Sequence, residues 1–184
     1  MPIQLFAFDT PNGRKISVAL EEMNLPYEVQ VVDITAGEQS APAFLNISPN
    51  NKIPAIVDPE GPDGQPISVF ESGAILLYLA EKSGQFLPRD LRRRVAVLEW
   101  LMFQMSGFGP APGQVHHFIA LPSEEDKRYG LTRFIAETRR LYSVMDRRLA
   151  EQAFFADDLS IADFAVLGWV WRHPRHQVDL QDFP

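Results

Sequence analysis

The chain has 184 residues, 46% hydrophobic and 22% charged, enough apolar mass for one large core or two small ones. Its net charge of −7 and isoelectric point of about 5.1 argue against nucleic acid or an anionic membrane as partner, since both demand a basic surface. With no cysteine anywhere, a disulfide, a thiolate metal site and a cysteine nucleophile of the protein's own are all excluded. A small anionic ligand remains open, because it needs only a local cluster of donors.

Ile3 to Phe8 reads as a short buried strand, broken by the turn residues Thr10-Pro-Asn-Gly13. The spacing of Ile16, Leu20 and Met23 predicts a helix that ends before Pro26. Tyr27 to Val32 alternates apolar and polar, the pattern of a half-exposed strand, and a strand-helix-strand opening implies parallel pairing. A polar loop, 33–40, and a short helix around Pro42 to Asn46 follow. Ala55 to Val57 and Ile67 to Phe70 read as strands joined by the turn-rich segment Pro59 to Pro66. Glu71-Ser72-Gly73 opens a helix that runs to about Lys82 and stops at Ser83-Gly84. Its apolar stretch, Ala74 to Ala80, is far shorter than the about 20 residues that span a bilayer. The N-terminus lacks a basic region and a signal-peptide core, so a cytoplasmic location fits.

Beyond Pro88 no strand pattern recurs. Arg92 to about Ser106 is helical, with Val95, Leu98, Leu101, Met102 and Met105 on one face. Lys127 to Ala150 is a longer helix, with Phe134, Thr138, Leu141, Tyr142, Met145 and Leu149 at helical spacing. Ser160-Ile-Ala-Asp163 is a capping-box start, with Asp in place of Glu, for a last apolar helix. The expected organisation is a first domain over 1–84, a linker over 85–90 and an all-helical domain over 91–184.

A βαβ unit, a loop, and ββα entered at Ile53-Pro54 is the thioredoxin-like plan. Pro54 is expected to be cis there, exposing the main chain of Ile53 so that an extended peptide adds to the sheet edge; alternatively it merely begins a strand. Glu71 and Ser72 read as a helix cap with a favourable acidic charge. The same geometry suits a ligand carboxylate at the Ser hydroxyl and helix N–H groups, and an ammonium at Glu71. Thr10 and Asn12, at the tip of the first helix, form a turn and cap or face a ligand sulfur. The energetics suffice for the latter. Lowering a thiol pKa by two units takes roughly 2.7 kcal/mol. One hydrogen bond to a charged acceptor supplies about 1.5–3 kcal/mol, and a helix end up to about 1 kcal/mol. Lys52 is a weaker candidate for a ligand carboxylate. His116 and His117 diverge by about 100° on a helix and have no third ligand nearby, so they read as structural or surface residues rather than a metal site.

Asn46-Ile-Ser-Pro-Asn-Asn-Lys-Ile-Pro-Ala-Ile-Val-Asp58, Phe70-Glu-Ser-Gly-Ala-Ile-Leu-Leu-Tyr-Leu-Ala80 and Ser160-Ile-Ala-Asp163, in that order, resemble the glutathione transferase superfamily across the whole chain. Thr10-Pro-Asn-Gly13, Gly109-Pro110 and Gly113-Gln-Val-His-His-Phe118 resemble its bacterial nu class of glutathione-dependent disulfide-bond oxidoreductases. The resemblance implies glutathione as cosubstrate, no metal, and a homodimer. It places Thr10 and Asn12 at the sulfur, and Gln39, Lys52, Ile53 and Pro54 along the glycyl and cysteinyl parts. Glu71 and Ser72 fall at the γ-glutamyl end, and Arg133 reaches in from the helical domain. Without a cysteine, and with no tyrosine in the first strand or its turn, disulfide exchange has to run on glutathione thiols alone. A conjugating transferase for small electrophiles and a non-catalytic binding protein of the same fold are the alternatives. Two departures stand out. Phe154-Phe-Ala-Asp-Asp158 lacks the family's glycine before the capping box, and the chain stops at Asp182-Phe-Pro184, where the family continues with another helix.

Overall fold

The alternation of Ile3, Leu5 and Ala7 buries one side of strand β1, Ile3–Ala7, as its period of two requires. The structure, a computed structural model, describes all residues from Met1 to Pro184 and contains two compact units, Met1–Leu87 and Pro88–Pro184. No helix in it is long and apolar enough to cross a membrane.

In the first unit, Thr10 caps helix α1, Pro11–Glu22, and Pro11 occupies the first helical position, where an N–H is not needed. Ile16, Ala19 and Leu20 are fully buried on its inner side. Strand β2, Tyr27–Val31, runs parallel to β1 from Ile3↔Tyr27 to Ala7↔Val31, as the strand-helix-strand order predicts. Its burial differs from the half-exposed reading: Val29 and Val31 are 53% and 69% exposed. Period two says which residues share a face, not whether another layer covers it, and β2 is the edge of the sheet, whose order is β2-β1-β3-β4. Beyond β2, the single-turn helix α2, Pro42–Leu45, drives Phe44 against Val32 and Ala55, with Phe6, Ile47 and Ile53 around it. This small cluster ties the 33–47 segment to the sheet.

Strands β3, Ala55–Asp58, and β4, Ile67–Phe70, pair antiparallel, and β3 also pairs antiparallel with β1. Helix α3, Ser72–Ser83, ends at Gly84 in the left-handed region (φ 69°). Asp58 anchors its far end to the sheet. That buried carboxylate accepts from the Tyr78 hydroxyl at 2.5 Å and pairs with Lys82 at 2.7 Å. Burial pushes the Asp58 carboxyl up, but the bonds from Lys82, Tyr78 and the Glu60 N–H together hold it below the usual carboxylate range.

The second unit is helical. Asp90 caps helix α4, Leu91–Phe103, by accepting the Arg93 N–H. The apolar face expected for this helix is only partly its core face, at Leu101. Val97 and Leu101 are buried, whereas Val95 and Met102 are 44% and 49% exposed. The helix carries two apolar stripes, and periodicity alone does not choose between them. It leaves through one wide turn, Gln104–Phe108.

Helix α5, Pro110–Ala120, does not stand out from apolar spacing because its start is rich in residues that interrupt helices. Pro110 and Pro112 both fall in the first turn, where a missing N–H costs nothing. Gly113 lets Trp169 approach, since a Cβ there would lie 3.3 Å from the indole ring. Helix α6, Glu124–Leu149, begins three residues before the expected Lys127 because Ser123 caps it, with Glu124, Glu125 and Asp126 in its first turn. Helix α7, Ile161–Val170, begins at the predicted capping box and is buried at Ile161, Ala162, Phe164, Ala165, Val166 and Trp169.

The loop before that box holds together without glycine. Arg148 Nε donates to the Phe155 carbonyl at 2.9 Å, the Phe155 N–H donates to Asp163, and the Phe155 ring packs 5.1 Å from Trp100. His116 stacks on His176 at 5.0 Å, and His176 Nδ1 meets the Tyr142 hydroxyl at 2.9 Å. Burial, aided by Arg172 and Arg175, pushes His116 down to about 4. Burial and the neighbouring His116, with smaller effects of His173 and the two arginines, push His176 to about 3. Both rings are therefore neutral packing groups at physiological pH. His117 is exposed.

Candidate active site

The pairing register gathers the candidate residues of the first unit at one end of the sheet. Continued past Phe6↔Ala55, the β1–β3 register sets Ala7 opposite Pro54; continued past Ala55↔Phe70, the β3–β4 register sets Pro54 opposite Glu71. The turn into α1, the Ile53–Pro54 bond and the start of α3 thus share an edge. That bond is cis, as its position predicts.

At the first corner, Thr10 Oγ accepts the Gly13 N–H at 3.2 Å. An accepting hydroxyl keeps its proton, so the cap and a hydrogen bond to a ligand anion are compatible. Asn12 is half-buried in the first turn of the same helix. Gly13 is required there, because a Cβ would lie 2.7 Å from the Phe8 carbonyl oxygen. In the middle, Pro54 is buried and Ile53 is half-buried against the Phe44 cluster. The loop before them is held by Ser48 Oγ, which donates to the Lys52 carbonyl at 2.8 Å; the Lys52 side chain is exposed. Gln39 lies in the turn Glu38–Ser40, with its carboxamide oxygen buried and without a partner. A buried polar atom of that kind ordinarily has one.

At the third corner the structure corrects the reading of Ser72 as the capping side chain. Glu71 takes the cap position itself, at φ 69° and ψ 117°, and no side chain caps the helix. A non-glycine residue there costs on the order of 1–3 kcal/mol, a strain that clusters at functional sites. Asn50 Nδ2 holds the exposed Glu71 carboxylate at 2.8 Å. The Ser72 hydroxyl, buried, accepts instead from Lys15 Nζ at 3.2 Å.

Lys15 and Asn50 escaped the sequence reading. For Lys15 the one available signal was its place four residues before the small, inward Ala19, which periodicity of large apolar residues ignores. Arg133 is exposed on α6, in the second unit.

The family of glutathione S-transferase N-terminal domains matches residues 10–82, the stretch that contains all three corners. The disulfide-bond oxidoreductase YfcG of Escherichia coli is 49% identical over 185 residues, which cover 99% of this chain and 85% of YfcG. The chain belongs to the glutathione transferase family. Another relative, the disulfide-bond oxidoreductase YghU of the same organism, is 40% identical, with 92% of this chain and 60% of YghU covered. A glutathione transferase family member from Pseudomonas fluorescens, solved with two glutathione molecules bound, superposes with a TM-score of 0.92 at 45% identity, over 99% of this chain and 83% of that one. One from Pseudomonas putida, solved with one glutathione disulfide per subunit, gives 0.88 at 44%, over 98% and 79%. The fold is therefore that of the glutathione transferases: a thioredoxin-like sheet unit followed by a helical unit, as the resemblance implied.

Proposed function

We propose that the chain is an enzyme that reduces disulfide bonds with glutathione, the thiolate coming from bound glutathione. The observation that carries this reading is the Thr10 hydroxyl, which caps α1 through a lone pair and keeps its proton to donate to sulfur, in a chain with no cysteine. In this reading Thr10 and Asn12 hold the sulfur, and Gln39 and Lys52 hold the glycyl end. The Ile53 main chain beside Pro54 pairs with the cysteinyl residue, Glu71 and Ser72 take the γ-glutamyl group, and Arg133 contributes from the helical domain. The two units then act as a glutathione-binding domain and a helical domain.

The thiolate attacks one sulfur of the substrate disulfide, forming a mixed disulfide and releasing one substrate thiolate, which takes up a proton. A second glutathione thiolate attacks the glutathione sulfur of the mixed disulfide, releasing the other substrate thiol and glutathione disulfide. The relatives solved with two glutathione molecules, or with glutathione disulfide, support a site with room for both partners of the second step. The protein supplies alignment and anion stabilisation, the terms that preorganised donors deliver best.

With glutathione in excess, turnover of bis(2-hydroxyethyl) disulfide is expected to exceed that of 1-chloro-2,4-dinitrobenzene by at least about tenfold, a barrier difference of about 1.4 kcal/mol. Faster turnover of the aryl halide makes the chain a conjugating transferase instead. Absence of both activities, with no retention on immobilised glutathione, leaves only the fold.

We also propose a homodimer, supported by the second apolar stripe of α4. Leu91, Val95, Leu98 and Met102 follow the four-three-four spacing of a coiled-coil seam, and three of them are 73%, 44% and 49% exposed. Sedimentation is expected to show twice the 20.8 kDa chain mass, and Val95→Glu to shift the protein to the single chain. A monomeric parent protein would remove the proposal.

A further inference from the structure

Lys15 is an unusual place for an ammonium group. It is 1% exposed, on the inner side of α1, and its Nζ reaches across to the Ser72 hydroxyl at the head of α3. Lysine is almost never fully buried without a partner, because its charge is costly to desolvate. Residues of this kind mark places where a charge is wanted later. Glu71, whose charge acts on the ammonium, lies at the strained head of α3 and accepts from Asn50. The adjoining Arg14 of α1 is exposed and pairs with Asp9, in the turn before the helix, at 3.0 Å. An amino acid head group brings one carboxylate and one ammonium. The site offers a hydroxyl backed by Lys15 for the first and Glu71 for the second.

We propose that Lys15 is a positioning residue of the γ-glutamyl subsite: it orients the Ser72 hydroxyl and provides, from behind it, the positive charge that the ligand α-carboxylate meets. The inference rests on the glutathione reading above and adds a residue and a linkage to it. An ammonium on the Ser72 oxygen polarises its O–H, which makes it a stronger donor to a carboxylate. The same contact couples binding to protonation. Burial lowers the Lys15 ammonium to about 7, with Glu71 pulling it back up, so the free protein holds Lys15 partly neutral at physiological pH. A carboxylate one hydroxyl away favours the charged form, so the complex takes up a proton. Affinity is then greatest below pH 7 and declines as the pH rises above it, up to about tenfold between pH 6 and pH 8.

S-methylglutathione is the probe, because it has no thiol to release a proton of its own. Calorimetry at pH 7 in buffers of different ionisation heat is expected to show uptake of about half a proton by the unaltered protein. Lys15→Met, which keeps the length and packing of the side chain, abolishes the uptake, flattens the pH dependence and weakens binding at pH 6 at least about tenfold. Lys15→Arg, permanently charged, restores affinity without the uptake. The γ-aminobutyryl analogue, which lacks the α-carboxylate, binds the parent protein and Lys15→Met alike. Tight binding of S-methylglutathione with no proton uptake and an unchanged pH profile overturns the role of Lys15 and leaves the glutathione site standing. Failure of the parent protein to bind S-methylglutathione at any pH overturns both. The proton measurement on the unaltered protein stands even if a variant does not fold.

Discussion

Thr10→Ala is expected to slow glutathione-dependent disulfide reduction at least about tenfold at neutral pH, with the pKa of the bound thiol moving toward that of free glutathione. A charge-assisted hydrogen bond is worth about 1.5–3 kcal/mol, and 1.4 kcal/mol is a factor of ten. Thr10 also caps α1, so the substitution removes about 1 kcal/mol of helix stability as well. Two controls separate these losses. Thr10→Ser keeps both the cap and the donor and should keep the activity. Thr10→Val keeps the shape and loses both, and two readouts divide the loss: the thiol pKa, from the ultraviolet absorbance of bound thiolate, reports the donor, and Tm reports the cap. Asn12→Ala asks the same of the neighbouring amide. The sulfur site assigned here requires one of these two side chains to matter; full activity in both alanine variants would falsify it.

Asp163→Ala is expected to produce the largest loss of stability in the helical unit. Its carboxylate accepts from the Phe155 N–H at 3.1 Å, the Ser160 N–H at 2.9 Å and the Ser160 hydroxyl at 2.9 Å. Removing it strands two backbone donors beside buried Phe155 and Ser160. Each unsatisfied donor costs about 1–3 kcal/mol, so the total is about 2–6 kcal/mol. At roughly 2–4 °C per kcal/mol for a chain of this size, Tm falls by about 4 °C or more. Asp163→Glu is expected to recover part of the loss, since glutamate is the usual partner in this box. Calorimetry showing a Tm within about 1 °C of the parent for Asp163→Ala would mean that the box contributes little here.

Much of the architecture is legible in short stretches of residues. Thr10-Pro-Asn-Gly13, Ser160-Ile-Ala-Asp163 and Ser83-Gly84 announce helix ends because a cap is settled by one side chain and the backbone within three residues of it. The parallel pairing of β1 and β2 follows from the crossover helix between them. Residues that act through a neighbour in sequence, such as Thr10 on the Gly13 N–H, can be read in the same way. Lys15, Asn50 and the geometry of Glu71 cannot. The partners of Lys15 and Asn50 stand at Ser72 and Glu71, 57 and 21 residues away, and an ordinary helix lysine and loop asparagine look no different in the chain.

The amino-acid sequence by itself determined most of the order of the elements, the caps at Thr10, Gly84 and Ser160, the family and the absence of any cysteine chemistry, because each depends on residue types in local or collinear patterns. Only the tertiary structure decided which of the two apolar stripes of α4 is buried, that the valines of β2 stay exposed, and that Ser72 meets a buried lysine instead of capping its own helix. Burial is a property of what distant segments bring to a face, and a face carries no mark in sequence of what will cover it.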